Sequence, residues 1–88
     1  MQNHQKIATA VIKNFSCGQN VSHGEIVEKV LDFSTIEKGS ILPADYCINN
    51  IGKDPRVGKY YIFWKVKRAR GRYIVLPHEI IKESCGLK

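Results

Sequence analysis

Residues 59–76 read Lys59-Tyr60-Tyr61-Ile62-Phe63-Trp64-Lys65-Val66-Lys67-Arg68-Ala69-Arg70-Gly71-Arg72-Tyr73-Ile74-Val75-Leu76. Aromatic and β-branched residues crowd both ends of this stretch, as they do in strands. Between them, Arg68-Ala69-Arg70-Gly71 has no large apolar side chain and ends in a residue that tolerates positive φ, so it reads as a turn. Two strands about such a turn make a β-hairpin. Alternation is expected to send Phe63, Ile74 and Leu76 inward and to leave Lys65, Lys67, Arg68, Arg70 and Arg72 outward.

Charge singles out the same hairpin. The 88-residue chain has a formal net charge of +6. Residues 1–52 carry Lys6, Lys13, Lys29 and Lys38 against Glu25, Glu28, Asp32, Glu37 and Asp45, a net of −1. Residues 53–72 carry Lys53, Arg56, Lys59, Lys65, Lys67, Arg68, Arg70 and Arg72 against Asp54 alone, a net of +7. The remaining residues balance. Solubility needs no such clustering. A concentrated positive field attracts a polyanion and releases counterions when it docks.

Upstream the period changes to that of helices. Ile7, Ala8, Ala10, Val11, Ile12 and Phe15 recur at spacings of three and four, which predicts a first helix over about 3–16, stopped near Gly18. Ser22 followed by Glu25 fits a capping box, and Ile26, Val27, Val30, Leu31 and Phe33 supply the apolar face of a second helix over about 23–33. Ser40 is placed to cap a third, with Pro43 in its first turn and Ile41, Leu42, Cys47, Ile48 and Ile51 as anchors, ending near Asn49-Asn50. After the hairpin, Pro77 opens a short last helix that Gly86 would end. The chain reads as one domain over 1–88, fraying at 1–2 and 86–88.

Three helices followed by a hairpin give an α+β fold of the winged helix-turn-helix type. A helix about 10–12 Å across fits the major groove of B-DNA. The third helix would read bases there, and the basic wing would grip phosphates. On that expectation Ser40 meets a phosphate from the helix start, Asp45 accepts from cytosine or orients a neighbour, and Asn49 and Asn50 pair with adenine or cap the helix end. Lys53 and Arg56 join Lys65, Lys67, Arg68, Arg70 and Arg72 as phosphate contacts.

The run Gly39-Ser40-Ile41-Leu42-Pro43-Ala44-Asp45-Tyr46-Cys47-Ile48-Asn49 resembles the reading helix of winged-helix domains attached to bacterial restriction-type and HNH endonucleases. Phe63 to Tyr73, around Gly71-Arg72-Tyr73, resembles a later segment of that family, and the likeness covers about residues 20–76. Ala44 and Ile48 depart from the family, which often has Ser and Tyr there, so its base preference is not carried over. The resemblance implies a DNA domain that reads sequence or modification. A reader of methylated adenine would want an aromatic pocket, for which Tyr46, Tyr60, Tyr61 and Trp64 qualify by type; Trp64 is expected to pack in the core or sheet.

Other classes find less support. A nuclease needs clustered carboxylates or histidines for a metal, but Asp45 and Asp54 stand alone in sequence, so no enzymatic activity, metal or cofactor is expected. Cys17, Cys47 and Cys85 are 30 and 38 positions apart. They form neither a close zinc-binding pair nor an even disulfide set, and are expected to be reduced. No apolar run approaches the roughly 20 residues of a membrane span, and the start is polar. A cytoplasmic, nucleoid-associated protein with double-stranded DNA as partner is the leading expectation. The rivals are a dimeric transcriptional regulator and a small mobile-element adaptor or inhibitor, of the anti-restriction or anti-CRISPR kind, engaging a nuclease or nucleoprotein effector.

Overall fold

A computed structural model describes residues 1–50 and 58–87. Helix α1 spans Asn3–Asn14. Its apolar residues fall on one face, and Ile7, Ala8, Ala10 and Val11 are buried. The Gln2 N–H donates to Gln5 Oε1 at the helix start. Helix α2 spans His23–Phe33 and buries Ile26, Val27 and Val30. The capping box is present: Glu25 N–H donates to Ser22 Oγ at 3.1 Å, and Ser22 N–H donates to Glu25 Oε1 at 3.0 Å. Its exposed side carries Glu25, Glu28 and Asp32.

Strand β1, Asn20–Ser22, lies between the two helices, where sequence periodicity predicts no strand. The hairpin supplies β2, Phe63–Lys65, and β3, Arg72–Val75. The three form an antiparallel sheet in the order β1-β3-β2. Register pairs Val21 with Tyr73 and Phe63 with Val75. These four side chains are buried on one face, where the Phe63 and Tyr73 rings lie 5.7 Å apart. Tyr73 and Val75 therefore face inward, where alternation predicts Ile74 and Leu76. Ile74 lies on the opposite face, and both it and Leu76 are half-buried. Pairing β3 with β1 sets the strand's facing, and nothing within the hairpin announces that long-range partner.

Helix α3 spans His78–Cys85 and buries Ile81 and Cys85. It ends on Gly86 at φ 72°, and Leu87 N–H reaches back to the Lys82 carbonyl at 2.8 Å. Both α2 and α3 pack against α1. The core is the apolar volume between these helices and the inner sheet face. Cys47 and Cys85 are buried and Cys17 is exposed, and none of the three is in a disulfide. Among the described residues no helix is long and apolar enough to cross a membrane.

The segment expected to be a third helix is different. Ser40 ends one 3-10 turn, Lys38–Ser40, and a second covers Pro43–Tyr46. Cys47 then bridges to Phe63 in parallel fashion. Two backbone bonds explain the change. Ile62 N–H donates to the Tyr46 carbonyl and Ile48 N–H to the Phe63 carbonyl, both at 2.9 Å. A continuing helix would need those groups for its own bonds. The chain instead docks along the outer edge of β2, so Ser40 caps no long helix.

Candidate nucleic-acid interface

The hairpin turn is built on two left-handed residues, Arg68 at φ 70° and Gly71 at φ 68°. Arg72 N–H closes onto the Ala69 carbonyl, and Val66 N–H donates to the Arg72 carbonyl at 3.2 Å. This geometry projects Lys67, Arg68 and Arg70 into solvent, with Lys65 exposed at the end of β2. Among the described residues none of these four cations has a carboxylate within ion-pair distance. Among the described residues, then, no carboxylate neutralises the charge at the tip. Lys65, Lys67, Arg68 and Arg70 share one open concavity with Asn49 and Asn50.

The two asparagines are there as builders. The Asn49 carboxamide accepts from Lys65 N–H at 2.7 Å and donates to the Lys65 carbonyl at 2.9 Å. Asn50 Nδ2 donates to the Ala44 carbonyl at 2.8 Å. With both its amide oxygen and nitrogen engaged, Asn49 is not free to pair with an adenine edge, and its expected base-reading role is corrected accordingly. No regular helix presents either asparagine.

Arg72 is on the sheet rather than at the tip. Its Nε donates to Asn20 Oδ1 at 2.9 Å, and its Nη1 lies 3.9 Å from Glu25 Oε1. Hydrogen bonds from Ser22, with help from Arg72, hold the Glu25 carboxyl below its usual range. Arg72 thus ties β3 to β1 and to the start of α2, while remaining partly exposed.

Ser40, Asp45 and Tyr46 line a second concavity with the first residues of α1 and Tyr60. Nine of the expected site residues thus fall in two hollows, and Arg72 in neither. Tyr46 is buried, and desolvation, with Asp45 adding to it, pushes its hydroxyl up to about 12. A buried phenol cannot meet a DNA base, so Tyr46 is corrected to a core residue. In the same hollow the His4 ring stacks on Tyr60 at 3.6 Å with planes 5° apart. Lys53 and Arg56 lie outside the described residues.

Trp64, expected in the core or the sheet, is on the sheet, in β2, but on its outer face and 48% exposed. Its place next to Phe63 was a usable signal, since neighbours in a strand face opposite ways. Asn20 is a site residue that sequence pattern does not reveal, because the short strand carrying it has no periodic signature. Among the described residues, no group of three or more His, Cys, Asp or Glu side chains is placed to hold a metal ion. Compared with family models, with curated proteins and with solved structures, the chain matches none.

Proposed function

We propose that the chain is a non-catalytic domain that holds double-stranded DNA by its phosphate backbone, with the basic hairpin as principal contact. One observation carries this reading. Lys65, Lys67, Arg68 and Arg70 converge on one exposed turn without a neutralising carboxylate among the described residues. Such a cluster repels itself, and a phosphate backbone relieves that repulsion while releasing counterions.

The finer reading, a winged helix of the restriction-endonuclease type, is supported by the order α1, β1, α2 and then a hairpin whose second strand closes on β1. The short turns at Lys38–Ser40 and Pro43–Tyr46 stand where that architecture would place its reading helix. The exposed side of α2 is no substitute. Glu25, Glu28 and Asp32 would face the phosphates with like charge. Binding of the kind proposed therefore follows backbone charge and discriminates little among base sequences.

The test is an anisotropy titration of short labelled duplexes of several sequences across a salt series. Affinity should fall steeply and alike for all of them as salt rises. Binding insensitive to salt, or no binding at low salt, would overturn the proposal.

A further inference from the structure

We infer that the outer face of the sheet is a stacking surface for one unpaired nucleobase, centred on Trp64. This rests on the nucleic-acid reading above and extends it to the form of nucleic acid preferred.

The sheet has a dry face and a wet one. Across the wet face, register places Trp64 beside Ile74, and Ile74 beside Asn20. Ile48 follows the Cys47–Phe63 bridge, so alternation turns it to the same side as Trp64. Trp64 is 48% exposed and Ile48 42%. A row of this kind is about 10 Å wide, two strand spacings. It offers an apolar surface at the base of the basic hairpin.

Charge selects the occupant. Arg72 lies on the same face as Ile74, two residues along β3, and Asn20 fixes its guanidinium. Lys65 ends β2 one residue after Trp64, and Lys67 stands in the turn beyond it, so further cations lie at the hairpin end of this face. An aromatic face with cations at one end is suited to a base: its ring stacks while the adjoining phosphates are neutralised. Duplex interiors hide base faces, so the surface serves a base at a single-stranded tail, gap or mismatch. A second copy of this chain is a poorer occupant, because each would bring a net charge of +6 to the contact.

The protein has a single tryptophan, so its fluorescence reports this surface alone. A blunt DNA duplex and the same duplex with a short single-stranded thymine tail are titrated in parallel, by tryptophan emission and by anisotropy of a labelled strand. The tailed form is expected to bind about tenfold more tightly and to quench Trp64. Trp64→Leu should abolish that preference yet keep blunt-duplex affinity within about twofold, and Trp64→Phe should retain part of it. Equal affinity for the two forms, with no quenching, would overturn the stacking surface while leaving backbone binding intact. A preference that survives Trp64→Leu would do the same. Binding of neither form would overturn both readings. A free protein whose tryptophan is shielded from acrylamide by self-association would overturn the stacking surface alone, since that would assign the face to a second copy.

Discussion

The Asn49 side chain stands in for a missing strand: its carboxamide grips both main-chain polar groups of Lys65, at 2.7 and 2.9 Å. This extends the docking of the 46–48 segment along β2 by one more residue, in the groove that carries the basic cluster. Two exchanged hydrogen bonds at a half-exposed site contribute about 1–2 kcal/mol in total. Asn49→Ala should lower stability by that amount in urea denaturation. Asn49→Asp keeps the acceptor and loses the donor, so it should fall between. An unchanged midpoint for Asn49→Ala would mean the clasp is idle in solution.

Replacing Lys67, Arg68 and Arg70 together by alanine should weaken duplex binding for every sequence alike. For each phosphate that is no longer neutralised, the slope of log affinity against log salt should become shallower by roughly 0.9. Arg72 is left out of this set on purpose. Its bonds to Asn20 and its approach to Glu25 make it part of the sheet, so its removal would confound binding with stability. A triple variant with an unaltered slope would remove the hairpin from the interface.

Much of the frame was legible because local pattern decided it. Ile7 to Val11 and Ile26 to Val30 have helical spacing, the second with a legible cap at Ser22, and the 63–75 hairpin combines strand formers with a Gly turn. The segment from Ser40 to Asn50 misled for a physical reason. Its apolar residues have helix-like spacing, but Tyr46 and Cys47 are buried by docking along Ile62 and Phe63. Asn50 further competes for main-chain groups by bonding to the Ala44 carbonyl, as short amides commonly do. Strand β1 was illegible because three residues with one buried side chain, Val21, carry almost no periodic signal. Its partner Tyr73 lies far along the chain. The site inherited the helix error: Tyr46 and Asn49, expected on a reading helix, are engaged in the fold, while Lys65, Lys67, Arg68 and Arg70, argued from charge, share one concavity.

Ser22 joins β1 to α2 and caps the helix, accepting from Glu25 N–H. Ser22→Ala should cost about 1 kcal/mol, the usual loss for such a cap. The Glu25 carboxyl is held low by its bonds to Ser22, so its contribution is present above the ordinary glutamate pKa and fades as pH falls through its lower folded value. Chemical denaturation of both proteins at neutral pH and in mild acid should therefore show the gap narrowing in acid. A gap constant with pH would separate Glu25 from the cap.

His4 supplies a second pH dependence, at higher pH. Burial, and then the charge of Lys59, lower its imidazole pKa in the folded chain, against a smaller opposing pull from the Cys85 main chain. The unfolded chain takes up this proton first, so the contribution is complete above the ordinary value of about 6.5 and declines as pH falls below it. His4→Phe keeps a flat ring on Tyr60 and removes the proton site. Its melting temperature should vary less than that of the parent through mildly acidic pH, as followed by circular dichroism. Parallel curves for the two proteins would show that His4 does not titrate differently on folding.

Arg68 combines strain and charge at one position. It is the single described non-glycine residue at positive φ, 70°, a region that costs an L-residue roughly 1–2 kcal/mol. Glycine adopts that conformation freely but loses more chain entropy on folding, so Arg68→Gly should stabilise the protein by up to about 1 kcal/mol. The same change deletes an exposed cation from the hairpin tip and should weaken duplex binding. Asn, which tolerates the left-handed region, should act in the same two directions with a smaller gain in stability. Opposite movements of stability and affinity from one substitution would show that the turn keeps a strained arginine for the sake of its charge. Loss of stability in Arg68→Gly would mean instead that the arginine side chain supports the turn, and the strain argument would fail.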